Sequence, residues 1–333
     1  MIKLRCNLTL LLVFALACCC EAQVQVSHKA ILKKALTTDV IEKVTITTSG
    51  GSIEVHGITT GEPYLEIFAS TFKGDEETLT LEGLKKRIDQ DYKVDISVRS
   101  KQLNIITQGK NKNMDWRQQI NFSIHVYVRP NVSTELNTKG GNFELENLNG
   151  KIHGKTAGGN ITVQNCKSDI ELKTSGGNIT ADGCEGIIIL STAGGSLDLT
   201  NLIGNIKATT SGGSIHGSNI TGELIAHTVG SNVNLSNLFC SLEASTRAGN
   251  ITIGIKEPGK YLKVSNYAGN INLKTATKKG LNLDVYAQKI STNLLNSFVG
   301  TQNEQEIRGT LNGGGIPVNI RADGGRLTLT FDK

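Results

Sequence analysis

The stretches TAGGNITV at 156–163, TSGGNITA at 174–181, TAGGSLDL at 192–199 and TSGGSIHG at 210–217 are one motif written four times, 18 residues apart. The register extends both ways. Glycine pairs begin at Gly140, Gly158, Gly176, Gly194 and Gly212, and Gly230-Ser231 and Ala248-Gly249 keep the phase. Ala268-Gly269 follows after 20 residues, the excess lying beside the loop-like Lys256-Glu257-Pro258-Gly259-Lys260. A fixed period of this kind marks a repeat architecture.

Other columns repeat in phase. Thr138, Thr156, Thr174, Thr192, Thr210, Thr228 and Thr246 precede the pairs by two. Phe143, Ile161, Ile179, Leu197, Ile215, Val233, Ile251 and Ile271 follow the first glycine by three. Ile152, Ile170, Ile188, Ile206, Leu224 and Leu242 follow it by twelve, and Leu172, Leu190, Ala208, Ala226 and Ala244 stand two beyond those. A spacing of two puts both members on one face of a strand. Each coil therefore holds about two short strands, one after the glycine pair and one after a second turn near Gly150, Gly186, Gly204 and Gly222. Neither strand buries its apolar face alone; stacking coils in register does. The fold class expected is all-β: a single-stranded parallel β-solenoid of 18-residue coils, right-handed by the rule for parallel crossovers, with β-rich capping regions at both ends.

The flanks fit the role of caps. Val44-Thr45-Ile46 and Ile53-Glu54-Val55 bracket an early copy of the turn, Thr48-Ser49-Gly50-Gly51. Alternation at Leu79 and Leu81, at Val94, Ile96 and Val98, and at Ile120, Phe122, Ile124 and Val126 predicts strands, and Glu82 to Tyr92 predicts one helix. Gly313-Gly314-Gly315 and Gly324-Gly325-Arg326-Leu327-Thr328-Leu329 predict a last turn and a closing strand. The organisation expected is a signal peptide at 1–22, a leader linker at 23–39, an N-terminal cap at 40–135, repeats at 136–275 and a C-terminal cap at 276–333.

Composition agrees: 37 Gly and only 4 Pro suit many short strands joined by tight turns. The net charge of +5 is not gathered into a basic run, which argues against nucleic acid as a partner. At the N-terminus, Lys3 and Arg5 precede an apolar run from Leu8 to Ala17, too short to span a bilayer, with cleavage expected after Ala22. Lipidation at Cys18 is the competing reading. Ala15 stands where such a signal usually has a Leu-like residue. An extracytoplasmic location follows from either, a membrane anchor only from the second.

Ile124-His125-Val126-Tyr127-Val128-Arg129-Pro130 leads directly into repeats of the form Thr-Ser-Gly-Gly-Asn-Ile-Thr, and the chain closes on Gly-Gly-Gly and a final Gly-Gly-x-Leu-x-Leu strand. In that order the sequence resembles, over roughly residues 40–330, the "putative adhesin" β-strand-repeat family, or toast-rack domain, of exported bacterial proteins. The resemblance implies an extracytoplasmic β-solenoid and brings no catalytic residues with it.

Chemistry-bearing residues are dispersed. Cys166 and Cys184 share a column with Leu148, Leu202, Ile220 and Leu238, and are read as buried thiols. Cys240 falls in the column of Gly150, Gly186, Gly204 and Gly222, and is read as a turn residue with a partly exposed thiol. His153, His216 and His227 occupy three columns, with no metal-ligand spacing. Asn142, Asn160, Asn178, Asn232 and Asn250, with Ser196 and Ser214, are read as a ladder of amides bonding one another. Asp169, Glu171, Asp182, Glu185, Asp198, Glu223 and Glu243 scatter. A polysaccharide-active β-helix enzyme would need convergent carboxylates, so the leading expectation is a non-enzymatic cell-envelope adhesin or binding scaffold without cofactor or metal. A purely structural scaffold is the third reading. The binding face expected is the Thr/Asn-rich strand surface of Thr162, Thr180, Asn234 and Thr252, with a surface glycan or a protein as partner.

Overall fold

The structure, a computed structural model, describes residues 30–36, 40–71, 80–111, 119–276 and 278–332. The signal peptide, Cys18 and Leu79 lie outside the described residues. What is described is all-β apart from one helix, Leu81–Asp91.

Strands pair in parallel with the strands 18 residues on. Ile152 faces Ile170 and Ile170 faces Ile188; Ile161 faces Ile179 and Ile179 faces Leu197. The apolar columns point inward and are buried as one continuous core, including Leu148, Cys166, Cys184, Leu202, Ile220 and Leu238. Two further devices hold coil to coil. Buried threonines donate to the carbonyl of the second glycine one coil back, as in Thr174 Oγ1 to Gly159 O at 2.9 Å and Thr192 Oγ1 to Gly177 O at 2.8 Å. The asparagine column acts differently from the expectation. Its side-chain oxygens accept from the main-chain N–H of the next coil, as in Asn178 N to Asn160 Oδ1 at 2.9 Å and Ser196 N to Asn178 Oδ1 at 2.8 Å. Strand pairing leaves those corner N–H groups unused, so the amide oxygen meets them before another amide can.

The second corner also lies elsewhere. Asn147, Asn165, Asn201, Asn219 and Asn237 have φ between 53° and 57°, and Gly183 fills the same column at 63°. Asparagine is the side chain that tolerates this left-handed conformation best. Amides do bond one another here: Asn219 Nδ2 to Asn201 Oδ1 at 2.9 Å, Asn237 Nδ2 to Asn219 Oδ1 at 2.7 Å. Gly186, Gly204 and Gly222, expected at the turn, sit within continuous strands. From Leu197 onward pairing runs around the Asn corner, so Leu197–Thr210, Ile215–His227 and Val233–Ala248 each wrap most of a coil.

Cys240 is corrected from partly exposed to buried, at 1% exposure. The insertion around Pro258 covers it: Gly259 N donates to Cys240 O at 3.0 Å, and Lys260 N to Ser241 Oγ at 2.8 Å. The helix starts one residue before the expected Glu82. Thr80 caps it, its Oγ1 accepting from Gly83 N at 3.1 Å, so Leu81 opens a helix rather than lying in a strand. Tyr92 is already extended and begins Tyr92–Arg99.

Parallel pairing continues past the repeats. Lys43–Thr48 and Ile53–Gly57 pair with Ser133–Thr138 and Phe143–Glu146 on one side and with Gln102–Gly109 and Ile120–Val128 on the other. Antiparallel strands cover this end: Tyr92–Arg99 on Gln102–Gly109, and Tyr64–Thr71 with Ala30–Ala35 beyond Ile120–Val128. At the other end the strand expected at Gly324 to Leu329 to close the stack is part of Ile316–Asp332, which instead lies between the Leu262–Ala276 coil and Leu281–Thr292. The hairpin Phe298–Gln302 and Glu306–Leu311 covers Leu281–Tyr286 in antiparallel fashion.

Candidate functional site

The register aligns Thr162, Thr180, Asn234 and Thr252 in one outward row and shows what stands between them. The row runs Glu144, Thr162, Thr180, Asp198, His216, Asn234, Thr252, Asn272. It continues N-terminally through Glu54, His125 and Glu66 to Lys33. A second outward row two residues on holds Tyr64, Tyr127, His56, Glu146, Gln164, Asp182, Thr200, Ser218 and Ser236. Together they form one face, called the Thr162 face below. Its middle is mostly hydroxyls and amides, interrupted by Asp182, Asp198 and His216; its N-terminal end is rings and carboxylates.

Two shallow hollows open on this face. One, of about 340 Å³, is lined by Asp198, Thr200, His216, Ser218, Asn234 and Thr252. The other, of about 230 Å³, is lined by Ser52, Glu54, Asn142, Glu144, Asn160 and Thr162. Asn234 and Thr252 thus belong to one hollow and Thr162 to the other.

At the N-terminal end the structure pairs two histidines that sequence columns do not relate. His125 Nε2 lies 3.2 Å from Glu54 Oε1, and His56 lies 3.7 Å from Glu54 Oε2 and 3.3 Å from Glu146 Oε2. His56 stacks on Tyr127 at 5.1 Å and Tyr127 on Tyr64 at 4.3 Å, with Lys33 Nζ 4.8 Å from the Tyr64 ring centre. Burial, with Tyr64 beside it, pushes the Tyr127 hydroxyl up to about 12. Period-2 alternation around His125 and His56 tells that both point outward, but not that their strands are neighbours. Among the described residues no three His, Cys, Asp or Glu side chains are placed to hold a metal ion, and no helix is long and apolar enough to cross a membrane.

A third cavity, of about 630 Å³, lies off this face, at the glycine corner near the C-terminal end. Its lining includes His227, Ser245, Arg247, Ser265, Tyr267 and Asp323. His227 Nδ1 shares a short hydrogen bond with Ser245 Oγ, and His227 Nε2 lies 3.6 Å from Glu243 Oε1. A hydroxyl, an imidazole and a carboxylate in line is the order of a nucleophile, base and orienter. An acyl-transfer site also needs N–H donors aimed at a developing oxyanion. Here His227 and Ser245 sit on strands paired in parallel on both sides, whose ladders use those donors.

Two of the three buried cysteines meet inside the core. Cys166 and Cys184 carry free thiols, and Cys166 is held above its ordinary range by its hydrogen bond with Cys184 and by burial.

No family model matches the chain, and no curated protein matches it. Solved structures align over most of its length at 12% identity. A "putative cell adhesion protein" from Clostridium sporogenes ATCC 15579 covers 90% of this chain and 98% of its own, with a TM-score of 0.23. A "putative lipid binding protein" from Parabacteroides distasonis ATCC 8503 covers 89% and 96%, at 0.38. A "putative adhesin" from Bacteroides fragilis NCTC 9343 covers 90% and 96%, at 0.36. The resemblance to the toast-rack family rests on the repeat pattern and the strand order alone.

Proposed function

We propose that this chain is an exported, non-enzymatic binding scaffold of the cell envelope: a right-handed β-solenoid of 18-residue coils whose Thr162 face meets a surface glycan. The observation that carries this is the pair of outward polar rows running side by side across more than half of the stack. Parallel strands repeat at about 4.8 Å, so Thr162 and Thr180, and again Asn234 and Thr252, offer hydroxyl and amide groups one spacing apart, with Asp198 and His216 between the two pairs. Such groups pair with sugar hydroxyls, and the Asp198 carboxylate among them is a further acceptor, each coil contributing little and many coils adding. Export is supported by Lys3 and Arg5 ahead of the Leu8 to Ala17 run.

The test is a glycan array with the mature protein, repeated with Thr180→Ala and Asn234→Ala together. Binding to a defined glycan that the double variant loses supports the reading; equal binding by both proteins refutes the face. Mass spectrometry of the native N-terminus tests export. Gln23 first means plain secretion, a lipid on Cys18 means an anchor, and an intact Met1 overturns both.

One observation favours a second reading, a polysaccharide-active enzyme. Glu54 and Glu144 are direct partners across neighbouring strands and line the same hollow. Two carboxyl groups roughly 5–5.5 Å apart are the pair that retaining glycosidases use. Release of reducing ends from an array-positive glycan, abolished by Glu144→Gln, would establish it.

A further inference from the structure

We propose that the corner cavity between His227 and Asp323 is a second ligand site, one that takes a neutral sugar against the Tyr267 ring. The inference rests on observations separate from the Thr162 face.

Just after the buried threonine column, whose place is taken by Asn266 and Ala322 toward the C-terminal end, comes a corner residue. In the middle of the stack it is small: Ala157, Ser175, Ala193 and Ser211. Toward the C-terminal end it changes to Val229, then Arg247, then Tyr267, then Asp323. These stand in successive coils of the stack, so Arg247 and Asp323 flank Tyr267, about one strand spacing, ~4.8 Å, to each side. Tyr267 is 69% exposed and Val229 50%. A ring that bare buries little area in the fold, and its face is free for a ligand.

The flanking groups are also unspent. Among the described residues, neither the Arg247 guanidinium nor the Asp323 carboxylate makes an ion pair or a hydrogen bond. Beside them the floor is polar and low, built from Ser245 and Ser265, with His227 at one end. Burial holds the His227 imidazole below its ordinary range, and its Nδ1 is bonded to Ser245 Oγ, so it anchors that hydroxyl in the floor.

A bare aromatic face, a fork of donors on one side, a carboxylate acceptor on the other and short hydroxyls beneath form the complement of a pyranose. The apolar face of the sugar covers the ring, and its hydroxyls meet Arg247 and Asp323. One cation and one anion balance, so an acidic or a basic sugar would leave one of them opposed. The cavity, at about 630 Å³, has room for more than one sugar ring.

Saturation-transfer NMR on the mature protein tests this, with cellobiose, maltose and lactose as probes at tens of millimolar. At least one should receive saturation with a millimolar Kd, and Tyr267→Ala, Arg247→Ala and Asp323→Ala should each weaken it about tenfold or more. Thr180→Ala and Asn234→Ala should leave it unchanged. Circular dichroism melts should show the three corner variants folded, because all three side chains are peripheral to the core. Absence of transfer to all three sugars, or wild-type binding by Tyr267→Ala, overturns the site. Loss in the Thr180 and Asn234 variants with full binding in the Tyr267 variant would move the sugar to the Thr162 face, sinking this inference and sparing the previous one.

Discussion

Gly176 and Gly177 are neighbours in sequence and opposites in constraint. A Cβ built on Gly177 would lie 2.0 Å from the carbonyl oxygen of Gly159 and 2.4 Å from its carbon, both main-chain atoms of the preceding coil. A Cβ on Gly176 would meet nothing nearer than 3.8 Å. Neither glycine is in the left-handed region, so conformational preference does not separate them. In Gly177→Ala the coils must part by more than an ångström, against a strand spacing of about 4.8 Å. The bonds across that contact include Thr174 Oγ1 to Gly159 O at 2.9 Å and Asn178 N to Asn160 Oδ1 at 2.9 Å. Losing them costs about 1 kcal/mol each, and overpacking adds about 1–3 kcal/mol. The total, roughly 3–5 kcal/mol, is a large part of a typical stability of about 5–15 kcal/mol. Gly176→Ala should be neutral or stabilising by up to about 1 kcal/mol, because alanine restricts the unfolded chain. Urea unfolding followed by far-ultraviolet circular dichroism measures both. Equal stability of the two variants would refute the account of glycine as the spacer between coils.

The inside-outside phase gives a second pair. Ile179→Asp puts an unpaired charge into a fully buried column and should cost several kcal/mol, while Thr180→Asp, facing outward, should cost less than about 1 kcal/mol by thermal melting. Cys166, Cys184 and Cys240 should label with a thiol reagent only after unfolding, without reductant; burial pushes the Cys240 thiol up to about 12, and fast native labelling of any of the three would contradict its place in the core. The last concerns acid. His227 is lowered mainly by burial, with Lys207 and Lys263 adding to it and Glu243 opposing. Its folded form therefore protonates below the unfolded value of about 6.5. The stability it contributes is complete above that pH and is lost as pH falls through the window beneath it. Melting temperatures between pH ~7 and ~5 should fall more in the wild type than in His227→Gln, and parallel curves would refute the assignment.

The parallel stack and its inward face were legible because 18-residue spacing is a statement about neighbours. Once Ile161 and Ile179 stand in one column, strand pairing and burial follow together. The second corner was misplaced because glycine is the louder turn signal, whereas the chain turns on Asn165, Asn201 and Asn219 and keeps Gly186, Gly204 and Gly222 where coils crowd. The asparagine column was in the sequence at the same step and could have been found there. Cys240 was misjudged because its cover comes from the Pro258 insertion, which breaks the period. The His56–Glu54–His125 cluster was illegible for a different reason: its strands pair out of chain order, and no periodicity links residues 56 and 125. The cavity at Tyr267 depends in part on Asp323, which likewise arrives from a strand distant in sequence.

The placement of Ile316–Asp332 inside the stack, with Leu281–Thr292 beyond it, bears on how the molecule is made. A stack laid down in chain order could grow from one end like a coiled rope, each turn templated by the last. This one cannot finish that way. The coil ending at Ala276 has no partner on its far side until Ile316–Asp332, about 40 residues on, is available, and Leu281–Thr292 must wait, or leave, to admit it. Completion is therefore tied to Ile316–Asp332. A chain lacking Ile316–Asp332 carries an open strand edge able to pair with another such chain, and Ile316–Asp332 closes that edge from within the same chain.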